Sequence, residues 1–263
     1  MIADLFRMDG KVAIITGAGR GIGAGVARAF AEVGADVVIG SRTEAQLEEV
    51  AQGVRELGRR AVVVPGDLNT RDAMQALVDR AIDELGRVDV VVNNAGGSVP
   101  GPFLQTSEKA FNEAFRWNVT TAFNLTQLAV PSMLKTEGGS VINIASAAGR
   151  FHDRGFTAYG TAKSAMIHLT KNLANELAPR IRVNAIAPGA IETSALGIVL
   201  QNEEITRKMV EGTPLRRLGV VDDIAAAAVY LASPAGSYVT GRCLDVDGGI
   251  RGSNLDMGLP DLE

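Results

Sequence analysis

The stretch that decides the fold is an apolar run followed at once by a glycine-rich turn, Lys11-Val12-Ala13-Ile14-Ile15-Thr16-Gly17-Ala18-Gly19-Arg20-Gly21-Ile22-Gly23. The β-branched run predicts a strand, and the Ala-rich segment up to Val33 predicts a helix. In a strand, glycine turn and helix, backbone N–H groups and a helix N-terminus face an anionic phosphate. A tight turn without a ligand is the alternative explanation. The predicted phosphate site comprises Gly17, Gly19, Arg20, Gly21, Ile22 and Gly23.

Further apolar runs alternate with segments of helical periodicity along the whole chain. The alternation predicts an α/β fold with a parallel sheet and right-handed crossovers, in which ligands collect at the carboxyl ends of the strands. No repeat or linker interrupts it, so we expect one domain over residues 1–263, with a substrate lid at about 190–218. The predicted strands cover 11–16, 34–42, 61–65, 88–92, 140–146, 181–187 and 242–246, and the longest predicted helical region covers 107–134.

Composition excludes several classes of protein. The net charge is −4 and no dense cluster of Lys and Arg occurs, which argues against a nucleic-acid partner. The single cysteine, Cys243, excludes an intramolecular disulfide and a Cys-based metal cluster, and it is expected in the core. No apolar stretch reaches the ~18 residues of a membrane span. We therefore expect a cytoplasmic protein with neither a membrane partner nor a metal.

The end of the second predicted strand indicates which dinucleotide binds. An acidic residue there would bind the ribose hydroxyls of NAD, but this chain has Ser41 and Arg42, and Asp36 lies at the opposite end of the strand. Arg42 and Arg20 together suit a 2′-phosphate, which favours NADP(H). NAD(H) remains the alternative, with Arg42 solvated and Arg20 neutralising the pyrophosphate.

The ends of the third and fourth predicted strands carry further candidates. Asp67 suits either a hydrogen bond from an adenine amino group or support of the next helix near its cap at Thr70, and spacing does not choose between them. Asn93, Ala95 and Gly96 fall where a ligand would lie. Ordinary turn chemistry explains the same residues.

The chemistry is expected at Tyr159 and Lys163, which lie one helical turn apart, with Ser146 thirteen residues before the tyrosine. A free phenol has a pKa near ~10, and acid–base work near neutral pH requires its anion to be stabilised. An ammonium about 4 Å away supplies enough stabilisation. We therefore expect Lys163 to lower the pKa of Tyr159 and Ser146 to hold the reacting oxygen. Two surface side chains on an ordinary helix are the alternative.

Taken together, these motifs resemble those of the short-chain dehydrogenase/reductase family over essentially the whole chain. The matches are Thr16-Gly17-x-x-x-Gly21-x-Gly23, Asn93-Asn94-Ala95-Gly96, Ser146, Tyr159-x-x-x-Lys163 and Pro188-Gly189. The resemblance implies a three-layer, doubly wound Rossmann fold whose seven-stranded, mostly parallel sheet has the order 3-2-1-4-5-6-7. It also implies a homotetramer that pairs through helices at about 107–134 and 157–178.

The resemblance further assigns roles to residues. It implies that Tyr159 is the general acid/base, that Ser146 orients the substrate oxygen and that Lys163 holds the nicotinamide ribose. Asn118 matches the family's helix asparagine, whose backbone carbonyl holds a water that joins the lysine to a proton relay. The cofactor contacts that it implies are Asp67, Leu68, Asn93, Ala95, Gly96, Pro188, Gly189, Ile191 and Thr193.

The expected function is hydride transfer between NADP(H) and the carbonyl or secondary alcohol of a hydrophobic substrate. Parts of the chain resemble bacterial hydroxysteroid dehydrogenases, which suggests a steroid-like substrate. Much of it also resembles 3-oxoacyl-carrier-protein reductases, which is the alternative. A non-catalytic cofactor sensor is a third reading that the presence of Tyr159 and Lys163 disfavours. Residues expected to wall an apolar cavity are Val99, Phe103, Phe151, Phe156, Leu196 and Ile198.

Overall fold

The computed structural model describes residues 1–194, 196–197, 201–255 and 259. Over these residues, seven strands form one sheet in the order β3-β2-β1-β4-β5-β6-β7, and every neighbouring pair is parallel. The predicted α/β class and strand order are confirmed. The strands are β1 (Val12–Thr16), β2 (Asp36–Ser41), β3 (Ala61–Pro65), β4 (Val90–Asn93), β5 (Gly139–Ile144), β6 (Ile181–Pro188) and β7 (Cys243–Val246).

Helices cover both faces of the sheet. Short 3₁₀ helices occur at Ile2–Phe6, Phe103–Gln105, Ala147–Gly149 and Pro234–Gly236. Over the described residues the α-helices are α1 (Gly21–Glu32), α2 (Glu44–Glu56), α3 (Arg71–Leu85), α4 (Glu108–Phe115), α5 (Thr121–Met133), α6 (Thr157–Leu177), α7 (Glu203–Gly212) and α8 (Val221–Ala232).

Most of the apolar core forms two layers, one on each face of the sheet, and a smaller third cluster includes Met166. Successive side chains of a strand point to opposite faces, so Ala13 and Ile15 pack with α1, α2 and α8, whereas Val12 and Ile14 pack with α3 and α5. All five residues of β1 are buried. Burial on both faces explains why this strand is continuously apolar in sequence.

The long predicted helical region at 107–134 is not continuous. One π-helical turn, Arg116–Thr120, separates α4 from α5. Asn118 lies within this turn, is fully buried, and donates from Nδ2 to the carbonyl oxygen of Ala114 at 2.8 Å. Single π turns of this kind are frequent at functional sites.

The predicted lid segment contains a helix, and one other expectation needs correction. The segment after Ser194 contains the regular helix α7, which begins after Asn202, whose side chain accepts a hydrogen bond from the backbone N–H of Ile205 at 3.1 Å. Met209 is the buried side chain of this helix. Cys243 is only half-buried rather than core, because β7 is an edge strand.

Candidate active site

The carboxyl ends of the central strands open onto a cavity of about 630 Å³. It extends from the glycine turn after β1 to the N-terminal half of α6. Seventeen predicted site residues line it: Gly17, Gly19, Arg20, Gly21, Ile22, Ser41, Arg42, Leu68, Ala95, Gly96, Ser146, Tyr159, Lys163, Pro188, Gly189, Ile191 and Thr193. Four predicted residues, Gly23, Asp67, Asn93 and Asn118, do not line it and lie just outside.

The glycine turn has the backbone conformation that its sequence predicts. Gly17 and Gly21 have φ angles of +64° and +56°, in the region that glycine adopts without strain. A Cβ atom on Gly23 would lie 2.4 Å from the carbonyl oxygen of Gly17. Gly23 therefore permits α1 to start against the turn, which is a packing role behind the cavity.

Asp67 and Asn93 make contacts within the protein. The Asp67 carboxylate accepts a hydrogen bond from the backbone N–H of Asn69 at 3.2 Å, so its observed contact is local. Asn93 donates from Nδ2 to Asn143 Oδ1 at 2.8 Å and to Thr126 Oγ1 at 3.1 Å. The Asn93 amide thus joins β4 to β5 and α5 beneath the cavity floor.

The end of the cavity near β2 suits an anionic group. The hydroxyl oxygen of Ser41 is buried there without a hydrogen-bond partner. Arg20 and Arg42 line the same end, and neither forms an ion pair with any acid among the described residues. Asp36, at the opposite end of β2, accepts from Arg59 at 2.9 Å and Arg60 at 2.7 Å. An unsatisfied hydroxyl and two free guanidinium groups fit a phosphate-bearing dinucleotide.

The other end of the cavity holds Tyr159 and Lys163 on consecutive turns of α6. The Nζ atom of Lys163 lies 5.6 Å from the centroid of the Tyr159 ring and donates to the carbonyl oxygen of Ile144 at 2.8 Å. Lys163 is 3% exposed, and burial lowers its pKa to about 7.

The expected effect of Lys163 on Tyr159 is not found. Burial raises the pKa of Tyr159, and the neighbouring Ser146 hydroxyl opposes that rise only in part. The ammonium bonds the Ile144 carbonyl oxygen, and desolvation lowers the pKa of Lys163 itself. The phenol therefore keeps its proton at neutral pH.

Ser146 is held in place by its own turn. It lies two residues past the end of β5, and its hydroxyl oxygen accepts a hydrogen bond from the backbone N–H of Ala148 at 3.2 Å. The bond leaves the hydroxyl at the cavity surface facing Tyr159. The three residues expected to carry the chemistry therefore share one cavity.

Asn118 supports this constellation from behind. Its side chain bonds both backbone groups of Gly97, accepting from N–H at 3.0 Å and donating to the carbonyl oxygen at 2.8 Å. The adjacent Gly96 fits tightly, since a Cβ atom there would lie 2.5 Å from Asn118 Oδ1 and 3.2 Å from Lys163 Nζ. The Asn118 side chain thus holds in place the backbone of Gly96 and Gly97, which separates it from Lys163.

Part of the cavity wall comes from the C-terminal segment, residues 250–255. Ser253, Asn254 and Leu255 line the cavity, and Ile250 beside them is buried. Asn254 donates to the carbonyl oxygen of Met209 at 3.1 Å and to Thr213 Oγ1 at 3.0 Å. The C-terminal segment therefore packs against α7 and the residues that follow it.

The expected apolar wall forms in part. Phe151, Phe156 and Leu196 line the cavity, whereas Val99 and Phe103 do not and are 91% and 69% exposed. Ile198 lies outside the described residues. Asn94, Trp117 and Met209 are lining residues for which the sequence reasoning assigned no role.

Comparison with known proteins finds similarity to oxidoreductases, in agreement with the geometry of the cavity. Residues 17–251 match a family model described as enoyl-(acyl carrier protein) reductase. An uncharacterized oxidoreductase of Mycobacterium tuberculosis is 56% identical over the full length of both chains. The 7α-hydroxysteroid dehydrogenase of Escherichia coli is 44% identical, with 94% of this chain and 96% of that protein covered.

The chain belongs to the short-chain dehydrogenase/reductase family.

Two solved structures of short-chain dehydrogenases/reductases show the same architecture with a cofactor. A 7α-hydroxysteroid dehydrogenase complexed with NADH and 7-oxo glycochenodeoxycholic acid has a TM-score of 0.91, with 44% identity over 94% of this chain and 96% of that one. A gluconate 5-dehydrogenase of Burkholderia cenocepacia in complex with NADP and tartrate has a TM-score of 0.89, with 33% identity over 95% and 98%.

A 3-oxoacyl-[acyl-carrier-protein] reductase of Thermotoga maritima is 35% identical, with 93% of this chain and 99% of that protein covered. The family membership shows that this chain is a dehydrogenase or reductase acting on alcohol or carbonyl groups of small molecules with a nicotinamide cofactor.

Among the described helices, none combines the length and apolar character needed to cross a membrane. The same residues contain no group of three His, Cys, Asp or Glu side chains arranged to hold a metal ion.

Proposed function

We propose that this enzyme interconverts a hydrophobic ketone and its secondary alcohol with NADP(H). The observation that carries the proposal is that Ser146, Tyr159 and Lys163 line the same cavity as the glycine turn. A cofactor lying along this cavity would join the phosphate end to the proton donor.

The choice of NADP(H) is supported by charge at the end of the cavity near β2. Arg20 and Arg42 line it without acidic partners among the described residues. The one carboxylate among the described lining residues is Asp153, in the loop before α6. A 2′-phosphate would therefore meet two guanidinium groups and no opposing acid at this end. The relatives do not decide the choice, since their structures hold NADH in one case and NADP in another.

The chain's own residues would move the proton and hold the substrate. In the reducing direction Tyr159 would donate its hydroxyl proton to the carbonyl oxygen, and the raised pKa of Tyr159 keeps that proton in place at neutral pH. Ser146 would hold the same oxygen by a hydrogen bond. Lys163 and the backbone after β4 would hold the cofactor ribose, with Asn118 fixing that backbone. A bound nicotinamide supplies or accepts the hydride.

A steroid-like substrate is supported by the apolar character of the catalytic end. Phe151, Phe156, Leu196, Met209, Ile250 and Leu255 contribute to its lining. The 44% identical hydroxysteroid dehydrogenase of Escherichia coli adds support. The second candidate, a 3-oxoacyl-carrier-protein reductase, is supported by the 35% identical reductase of Thermotoga maritima.

The test compares oxidation of NADPH in the presence of a bulky cyclic ketone and of a 3-oxoacyl thioester. We expect turnover with the cyclic ketone, at a higher kcat/KM than with the thioester. A preference for the thioester would favour the second candidate. Absence of turnover with broad ketone and alcohol panels, despite measured cofactor binding, would contradict both.

We further propose that the enzyme is a homotetramer. Apolar side chains remain exposed on α5 and on the edge strand β7, with Phe123 40% and Leu244 37% exposed. Sedimentation at several protein concentrations would test the assembly, and a monomer at micromolar concentration would contradict it.

A further inference from the structure

Charge is distributed unevenly around the cavity. The cations that line it are Arg20 and Arg42 near β2, and Lys163, whose ammonium is bound to the Ile144 carbonyl oxygen. No arginine, lysine or histidine lines the catalytic end beyond Lys163 among the residues that the structure describes. A carboxylate, that of Asp153, lies in that wall instead.

The two arginines nearest to Asp153 in sequence, Arg150 and Arg154, make contacts elsewhere. Arg150 pairs with Asp245 at 2.6 Å and with Asp247 at 3.5 Å. Arg154 donates to the carbonyl oxygen of Leu259 at 3.1 Å. Neither lines the cavity, so neither provides a positive charge for an anion bound there.

Asp153 lies in the wall of the cavity that Tyr159 also lines. Its carbonyl oxygen accepts a hydrogen bond from the N–H of Phe156 at 3.4 Å, and the Phe156 ring centroid lies 6.2 Å from that of Tyr159. Its half-buried carboxylate accepts a hydrogen bond from the hydroxyl of Ser253 in the C-terminal segment. That hydroxyl is the carboxylate's one side-chain partner in the described part of the chain, and it leaves the negative charge uncompensated.

A negatively charged substrate would be disfavoured in such a place. Binding would remove its charge from water and bring it beside another negative charge, and the one cation at this end among the described residues, Lys163, is already bound to the Ile144 carbonyl oxygen. A neutral substrate meets none of these costs. The aromatic walls contact its apolar surface, and the Asp153 carboxylate accepts hydrogen bonds from its hydroxyl groups.

We propose that Asp153 is a specificity-determining residue that excludes substrates carrying a carboxylate or another anion, so that the enzyme takes neutral hydrophobic ketones and alcohols. This inference rests on the proposed function and narrows its substrate class.

The experiment uses one cyclic keto-steroid carboxylic acid and its methyl ester, which share the ring system and differ in charge. With the intact NADPH-bound enzyme, we expect kcat/KM for the ester to exceed that for the acid at least about tenfold at low salt. Added salt should narrow the ratio, because ions screen the repulsion. The dissociation constants of both ligands, measured by calorimetry, should differ in the same direction.

Three variants separate charge from structure. Asp153→Asn should raise kcat/KM for the acid about tenfold and leave the ester within about twofold. Ser253→Ala retains the charge and should leave the acid-to-ester ratio unchanged. Glu203→Gln removes a negative charge from α7 outside the cavity and controls for net charge.

The outcomes distinguish this inference from the proposed function. Equal use of acid and ester by the wild type, or equal effects of Asp153→Asn on both, would overturn the specificity role. If the ester binds more tightly than the acid but neither is turned over, the charge selection stands and the proposed reaction fails. If neither ligand binds, the inferred substrate class is wrong as well.

Discussion

The ammonium nitrogen of Lys163 lies 5.6 Å from the centroid of the Tyr159 ring, one helical turn away along α6. Burial lowers the pKa of Lys163 to about 7 and raises that of Tyr159. Desolvation therefore disfavours the charged form of both groups. It keeps the proton on the Tyr159 phenol and lowers the proton affinity of the Lys163 amine. This pair makes stability and catalysis depend on pH in ways that can be measured.

Replacing Lys163 should change the pH dependence of stability. The folded pKa, about 7, is below the ordinary value of 10.5, so between these values the unfolded chain binds more protons and wild-type stability rises with pH. Lys163→Met removes this contribution. The free energy of unfolding of Lys163→Met, taken as a difference from that of the wild type, should therefore be highest near pH 7. This difference should fall by on the order of 2 kcal/mol by about pH 9.5.

Urea unfolding at several pH values measures this difference. The highest pH of the series, about 9.5, lies below the ordinary phenol pKa of ~10. Above a pH of ~10 the raised pKa of Tyr159 makes stability fall as pH rises. Lys171→Met, at an exposed lysine on the same helix, is the control and should follow the wild type. If the stability of both variants changes with pH in parallel with that of the wild type, folding does not lower the pKa of Lys163.

Arg42→Asp should change cofactor preference. If Arg42 binds a 2′-phosphate, the loss of a charge-assisted contact should weaken NADPH binding about 10- to 100-fold and leave NADH within about threefold. Fluorescence of Trp117, the single tryptophan in the chain and a cavity-lining residue, reports binding. Arg28→Asp, on the exposed side of α1, is the matched charge control. Equal losses for the two cofactors would show that Arg42 does not recognise the phosphate.

Asn118→Ala should destabilise the fold. The substitution leaves the partly buried N–H and carbonyl groups of Gly97 without the side-chain partners they have now. Buried polar groups without partners cost about 1–3 kcal/mol each, so we expect a loss of about 3 kcal/mol in the free energy of unfolding. Asn124→Ala on α5, where the amide oxygen accepts an exposed bond from Arg71, should cost less than about 1 kcal/mol. Similar losses in both variants would contradict a special role for Asn118.

Much of the fold could be predicted because its signals are local. β1 and the glycine turn carry their pattern in consecutive residues, and the Thr70 cap of α3 is recognisable from a single residue type. Strand order followed from the family resemblance rather than from periodicity, since hydrophobic pattern alone does not choose sheet neighbours.

The rest depends on contacts between distant parts of the chain. The π turn at Asn118 is stabilised by bonds to Gly97, 21 residues away, which helical periodicity does not register. The docking of Asn254 on Met209 joins residues 45 apart in a polar tail. The sign of the Tyr159 pKa shift was wrong in sequence reasoning because spacing gives the nearby cation but not the burial that outweighs it.

The central claim is that the phenol of Tyr159 supplies the proton in an NADP(H)-linked carbonyl reduction. The most direct measurement is single-turnover oxidation of bound NADPH by a ketone, comparing the wild type with Tyr159→Phe, alongside the dissociation constant for NADPH. We predict a rate loss of about a thousandfold or more with cofactor affinity within about threefold, because the change deletes the proton donor and little else. A variant that retains a rate within about tenfold of the wild type would contradict the account.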